Sequence, residues 1–175
     1  LAQRFGQATR GWARAGSTLI AVGLLATLAA QAVLFRDPFD PFWPQVAGLV
    51  NRTDWGRAWS LQAALAVGLV ALAWSPRTPG RAFAGLAAAA AAALAFTGHS
   101  WAVEERRALT LAAEGVHAVA AAAWLGGVAF LALILRGGSG PGAYRATARF
   151  SGVAVWAGPA LVGTGLWATV AHAGG

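Results

Sequence analysis

The stretch AAEGVHAVAAAAWLGGVAFLALIL, residues 112–135, decides the fold class of this chain. No charged residue occurs between residues 115 and 135, and about 20 apolar residues are enough for a helix to cross the hydrocarbon core of a bilayer. Glu114 and His117 nevertheless stand at the start of this stretch. Inside a membrane such side chains are costly and call for a partner.

The rest of the chain is equally apolar. Of its 175 residues, 58% are hydrophobic and 11% are charged, whereas about a quarter of the residues of a soluble domain are charged. We predict an all-α, polytopic membrane bundle that forms a single transmembrane domain over residues 1–175. The five predicted transmembrane helices cover residues 15–35, 58–74, 82–98, 109–135 and 150–171, and a periplasmic loop covers residues 36–57.

The charges predict the orientation. Eight arginines and no acidic residue lie before the first helix, between the second and third, and between the fourth and fifth. The opposite side carries five arginines and all six acidic residues. By the positive-inside rule the arginine-only side is cytoplasmic, so the N-terminus is predicted inside and the C-terminus in the periplasm. Because the net charge of +7 follows this topology, we expect the lipid bilayer, and no nucleic acid, as a partner.

The periplasmic loop is rich in proline and aromatic residues. Pro38, Pro41 and Pro44 predict that no helix forms early in it. Its aromatic side chains are typical of a belt at the membrane interface, and a lid over an outward-facing site is the alternative. The belt residues are Phe39, Phe42, Trp43, Trp55 and Trp59.

The chain has three histidines, and the predicted topology places each near the outer end of a different helix. Glu114 and His117 share a helix face because they are three residues apart, and a Glu-x-x-His pair can present two metal ligands inside a helical bundle. We therefore predict an outward-facing metal site. Its predicted ligands are His99, His117, Glu114 and His172, and its predicted pocket residues are Trp124, Trp101 and Thr169.

Simpler interpretations of the same residues stay open. His99 and His172 stand at helix ends, where a polar residue often only anchors the helix among the headgroups, and Trp124 is also explained by packing. No enzyme is expected, because the chain has no cysteine nucleophile and no nucleophile-elbow serine. The sequence GGSGPG at residues 137–142 lacks the lysine of a phosphate-binding loop.

Four segments together resemble the copper resistance D (CopD) family of membrane proteins. They are TDWGRAWSLQAALA at residues 53–66, GHS at 98–100, GVHAVAAAAWLGGVAFLAL at 115–133 and ARFSGVAVWAGPALVGTG at 148–165. The histidine followed by Trp-x-Gly-Gly is the most specific of these features. The resemblance implies a multi-pass protein of the bacterial inner membrane that handles or transports copper, with His99 and His117 linked to the metal.

The absence of cysteine and methionine departs from what copper(I) prefers, since that ion favours thiolate and thioether ligands. Histidine and carboxylate ligands suit copper(II), zinc or iron better. A periplasmic copper-binding protein or a larger membrane complex is the expected protein partner. Two further hypotheses remain: a structural accessory subunit with a CopD-like fold and no metal, and a subunit that holds haem or chlorophyll through its histidines.

Overall fold

The computed structural model describes the backbone of residues 2–76, 80–97, 107–136 and 140–173, and the side chains of those that lie between residues 9 and 170. The described part of the chain is helical and contains no strand. The helices are α1 (Ala2–Leu34), α2 (Phe42–Arg52), α3 (Asp54–Trp74), α4 (Arg81–Ala92), α5 (Arg107–Arg136) and α6 (Pro141–Ala173), and α4 continues into a 3-10 turn (Ala93–Phe96). The all-α prediction is confirmed.

Among the described residues, four helices are long and apolar enough to cross a membrane. Their candidate spans are Thr9–Leu34, Asp54–Trp74, Arg107–Arg136 and Pro141–Val170. The remaining predicted span is shorter, because α4 has 12 residues and its 3-10 turn has four, which together reach about 26 Å. A fifth span and the orientation of the termini stay predictions.

The segment predicted as a loop contains a helix, α2, which the sequence analysis missed. Pro44 is the third residue of this helix, where no intrahelical partner for a backbone N–H is needed, so a proline is tolerated there. The chain makes a tight turn ahead of α2, which is closed by Gln45, the fourth residue of the helix. Its side chain accepts from the backbone N–H of Asp37 and donates to the carbonyl oxygens of Asp37 and Asp40, at 2.8–2.9 Å.

A sharp corner joins α2 to α3. Thr53 caps α3, since its hydroxyl oxygen accepts from the backbone N–H of Gly56 at 2.9 Å and the hydroxyl donates to the carbonyl of Leu49 at 2.6 Å. The corner brings the backbone of Gly56 directly against the carbonyls of Leu49 and Val50. Only a residue without a Cβ fits this approach.

The chain divides into two compact units, Leu1–Thr97 and Gly98–Gly175. In the first unit α3 is the central helix, and hydrogen bonds from side chains tie it to its neighbours. The indole N–H of Trp59 donates to the carbonyl of Leu24 in α1 at 2.9 Å. Gln62 donates to the carbonyl of Ala93 at 2.9 Å and to the hydroxyl of Thr97 at 3.1 Å. Trp59 therefore ties α3 to α1, and its assignment to the interfacial belt stays a prediction.

The second unit is a pair of antiparallel helices, α5 and α6. Its register follows from three contacts: Gly127 with Phe150, Trp124 with Gly158, and His117 with Thr164. Residue numbers rise along one helix as they fall along the other. This register brings the candidate site together.

Candidate functional site

His117 is held across the helix pair by a hydrogen bond to α6. Its Nδ1 lies 2.9 Å from the hydroxyl oxygen of Thr164. That hydroxyl also lies 2.6 Å from the carbonyl oxygen of Ala160. A threonine hydroxyl has one hydrogen to donate and accepts through its lone pairs. Because a carbonyl can only accept, the hydroxyl donates to Ala160 and its oxygen accepts from Nδ1–H of His117.

This arrangement favours a proton on Nδ1 of His117. With the proton on Nδ1, the lone pair of the neutral ring lies on Nε2. Metal-binding histidines are commonly oriented in this way, by donating the other ring N–H to a second residue. Nε2 makes no hydrogen bond within the described part of the chain, and the side chain is exposed. Nε2 of His117 is thus accessible, and its role as a metal ligand stays a prediction.

Glu114 lies one turn before His117 on α5, as predicted. Its Oε2 is buried and has no hydrogen-bond partner among the described residues. The indole Nε1 of Trp167 on α6 is likewise buried and has no hydrogen-bond partner among the described residues. Trp167 follows Thr164 by three residues, so the antiparallel register brings it to the level of Glu114. Buried polar atoms without partners cost free energy, so this level of the helix pair carries two unsatisfied polar groups.

The depth of Glu114 and His117 in the membrane adds to the free-energy cost of placing them there. If α5 is centred on the bilayer, its midpoint falls between residues 121 and 122. At 1.5 Å per residue, His117 then lies roughly 7 Å and Glu114 roughly 11 Å from the midplane. Both lie within the hydrocarbon core, which is about 30 Å thick. Ionisable residues at such depth usually serve a function.

Trp124 packs two turns below His117. Its ring and that of Phe150 are edge-to-face, with centroids 6.2 Å apart, and a Cβ added to Gly158 would lie 3.1 Å from it. The glycine thus makes room for the indole, and these contacts account for Trp124 as a packing residue. Its role as the floor of a metal pocket stays a prediction.

The other predicted site residues are placed only in part. His99 and Trp101 lie outside the described residues. His172 belongs to α6, but its side chain is also outside them; its backbone lies eight residues beyond Thr164, about 12 Å along the helix. The Thr169 hydroxyl donates to the carbonyl of Gly165 at 3.0 Å. Within the described part of the chain, no group of three or more His, Cys, Asp or Glu residues could hold a metal ion.

Sequence reasoning missed Thr164 and Trp167. Both lie in or next to the segment ARFSGVAVWAGPALVGTG, but nothing in that segment shows which residue of α5 each one faces. A hydroxyl inside an apolar run was the available signal. The partner became evident only from the register of the two helices.

Comparison with known proteins decides the family. A family model described as "Copper resistance protein D-like, N-terminal domain" matches residues 1–109, which is more than half of the chain. The chain belongs to the copper resistance D-like family. The predicted resemblance is confirmed, and the apolar helices make this CopD-like chain a multi-pass membrane protein. No curated protein and no solved structure gives a significant match.

The match covers the first unit and ends at the third residue of α5. It includes His99 and Trp101, whereas Glu114, His117 and all of α6 lie beyond it. The resemblance of residues 115–165 of this CopD-like chain therefore rests on the quoted motifs alone. The candidate site in the second unit lies outside the matched residues and stays a prediction.

Proposed function

We propose that this CopD-like protein handles a transition-metal ion, copper in the first place, at the periplasmic side of the bacterial inner membrane. The metal is the cargo, and His117 is its central ligand. The observation that carries the proposal is the hydrogen bond from His117 to Thr164, which leaves Nε2 available to the metal. Family membership supplies the link to copper.

The donor atoms favour particular ions. The described site offers an imidazole nitrogen and a carboxylate oxygen, and the chain contains no sulfur ligand. Such donors suit copper(II) or zinc better than copper(I). Two ligands from one helix do not complete a coordination sphere. We propose that the remaining ligands are His99, His172, water or a residue of a periplasmic copper-binding protein.

The orientation is part of the proposal and can be tested without background, because the chain has no cysteine. Phe39 is 93% exposed on the predicted periplasmic side, and Tyr144 is 78% exposed on the predicted cytoplasmic side. A membrane-impermeant maleimide should label Phe39→Cys in spheroplasts, and Tyr144→Cys only after permeabilisation. The opposite labelling pattern would place His117 on the cytoplasmic side and refute the proposed orientation.

Thr164→Val tests the orienting hydrogen bond. Valine keeps the shape of threonine but removes the oxygen that accepts from His117. Loss of such a supporting contact typically weakens metal binding by about 10- to 100-fold, and we expect a decrease of this size in the copper(II) and zinc affinities of the purified protein. Competition titration against a chromophoric chelator measures it.

Thr147→Val is the matched control, since the Thr147 hydroxyl donates only to the carbonyl of Ala143, on the same helix. It should bind metal as the wild type does. If the wild-type protein binds no metal, the proposed function is wrong. If both valine variants lose the same affinity, the hydrogen bond has no special role.

The other two hypotheses make different predictions for the same purified protein. A haem- or chlorophyll-holding subunit would show an intense visible absorption band. An accessory subunit would contain neither pigment nor metal and would co-purify with a large partner. The desolvated carboxylate oxygen of Glu114 beside an oriented histidine is the reason for placing the metal proposal first.

A further inference from the structure

The first unit contains a cleft that the proposed metal function does not use. In this unit, α1 and α4 both pack against α3, but within the described residues they do not pack against one another. The gap between them is a cavity of about 400 Å³ with α3 as its floor. This is within the usual range of small-molecule sites, about 300–1,000 Å³. The residues that matter here are Gln31, Trp55, Trp59, Gln62, Leu94 and Thr97.

The cleft is mainly apolar, and its few polar groups are uncharged. None of the residues that line it carries an ionisable side chain. A metal ion or an anionic phospholipid headgroup would therefore lie there without a compensating charge, which is unfavourable at membrane depth. Charge complementarity favours a neutral occupant.

Two of its polar side chains are already engaged. Gln62 uses both amide hydrogens on Ala93 and Thr97, and Trp59 donates to Leu24. These bonds hold the walls of the cleft in place. A wall fixed in this way keeps its shape when a ligand binds.

Two other polar side chains of the cleft are available to a ligand. Within the described part of the chain, the carboxamide of Gln31 and the indole N–H of Trp55 make no hydrogen bond, although both side chains line the cleft and are half-buried. Gln31 stands near the end of α1 and Trp55 at the start of α3. Two donors and an aromatic face are thus offered at one end of the cavity.

The cleft becomes apolar away from that end. Its far end is lined by Ile20 and Leu24 on α1, and Ile20 lies 11 residues before Gln31, about 16 Å along the helix. The site therefore suits a molecule with a flat polar head and an apolar tail.

From these observations we infer that the cleft between α1 and α4 binds a neutral, planar, lipid-soluble molecule with carbonyl or hydroxyl groups, the chemical class of the membrane quinones. The amide of Gln31 and the indole N–H of Trp55 donate to its oxygen atoms, and its ring lies against the indole faces. A plain acyl chain would use neither donor. The inference rests on the first unit and is independent of His117.

Binding of decylubiquinone to the detergent-solubilised full chain tests it. We expect saturable quenching of tryptophan fluorescence, and an approximately tenfold higher Kd for Gln31→Leu, which loses a buried hydrogen bond. Trp55→Phe keeps a ring but loses the N–H, and its Kd should rise several-fold. Trp156→Phe is the control with unchanged Kd, since Trp156 is 80% exposed and lies in the second unit.

The elution volume and Tm of each variant show whether it is folded, and Trp55→Phe keeps the test decisive if Gln31→Leu does not fold. Quenching that rises linearly without saturation would mean that the quinone only partitions into detergent, and would overturn the inference. So would equal Kd values for wild type, Gln31→Leu and Trp55→Phe. Metal titration of the same samples should be unaffected by the cleft variants, which separates this inference from the proposed function.

Discussion

Replacing His117 by alanine is expected to abolish stoichiometric metal retention by the purified protein. The substitution removes the ligand nitrogen, and the loss of affinity should exceed the roughly 100-fold that follows when a residue supporting a ligand is removed. After loading with copper(II) or zinc and desalting, elemental analysis should find close to one equivalent in the wild type and almost none in His117→Ala.

His117→Gln is the companion variant. Glutamine can still donate an amide N–H to Thr164, so it preserves the contact between α5 and α6 but offers a poor metal ligand. It should therefore lose the metal while keeping the Tm of the wild type. If either His117 variant retains a full equivalent of metal, His117 is not the central ligand.

Gly56→Ala is expected to have the largest effect on stability. An added Cβ would collide with the carbonyls of Leu49 and Val50, and these backbone atoms cannot rotate away as a side chain can. Overpacking typically costs about 1–3 kcal/mol, and we expect the upper end of this range, because the corner between α2 and α3 would have to open. Thermal unfolding followed by circular dichroism in detergent should show a lower Tm.

The control for Gly56→Ala lies in α2. A Cβ on Gly48 would meet nothing within 4 Å, and in a helix interior alanine is favoured over glycine by roughly 1 kcal/mol. Gly48→Ala should therefore be neutral or slightly stabilising. Equal Tm values for the two alanine variants would show that the corner yields easily and that the close approach is not required.

The helices could be predicted from the sequence because uncharged runs of membrane length leave few alternatives. Their ends were harder to predict. The helix predicted from residue 150 begins at Pro141, because Arg145 and Arg149 ended the uncharged run without ending the helix. The helix α2 was missed because Pro44 was interpreted as a helix breaker, although a first-turn position tolerates it.

Only the part of the candidate site that lies on a single helix could be predicted from the sequence. The spacing of Glu114 and His117 is a property of one helix, so the sequence sufficed to identify it. Thr164 and Trp167 come from another helix, and the axial register of two packed helices depends on side-chain shapes, such as Trp124 against Gly158. The residues of α6 that face Glu114 and His117 could therefore be identified only from the structure.

The cleft of the first unit illustrates the same limit. Gln31 and Gln62 are single amides in apolar runs, and the sequence does not show that both line one cavity. Trp59 lies among aromatic residues that match a membrane-interface pattern, yet its N–H is bound to the carbonyl of Leu24. A compositional pattern describes a segment, whereas the direction of each side chain depends on how the helices pack.

X-ray absorption spectroscopy of the copper(II)-loaded protein tests the central claim most directly. We predict a first shell of nitrogen and oxygen atoms with the outer-shell scattering of imidazole and no sulfur, because the chain has no cysteine or methionine. Under the same loading, His117→Gln should show no such bound copper. A spectrum without imidazole scattering, or one that is the same in wild type and His117→Gln, would contradict the assignment of His117 as the metal ligand.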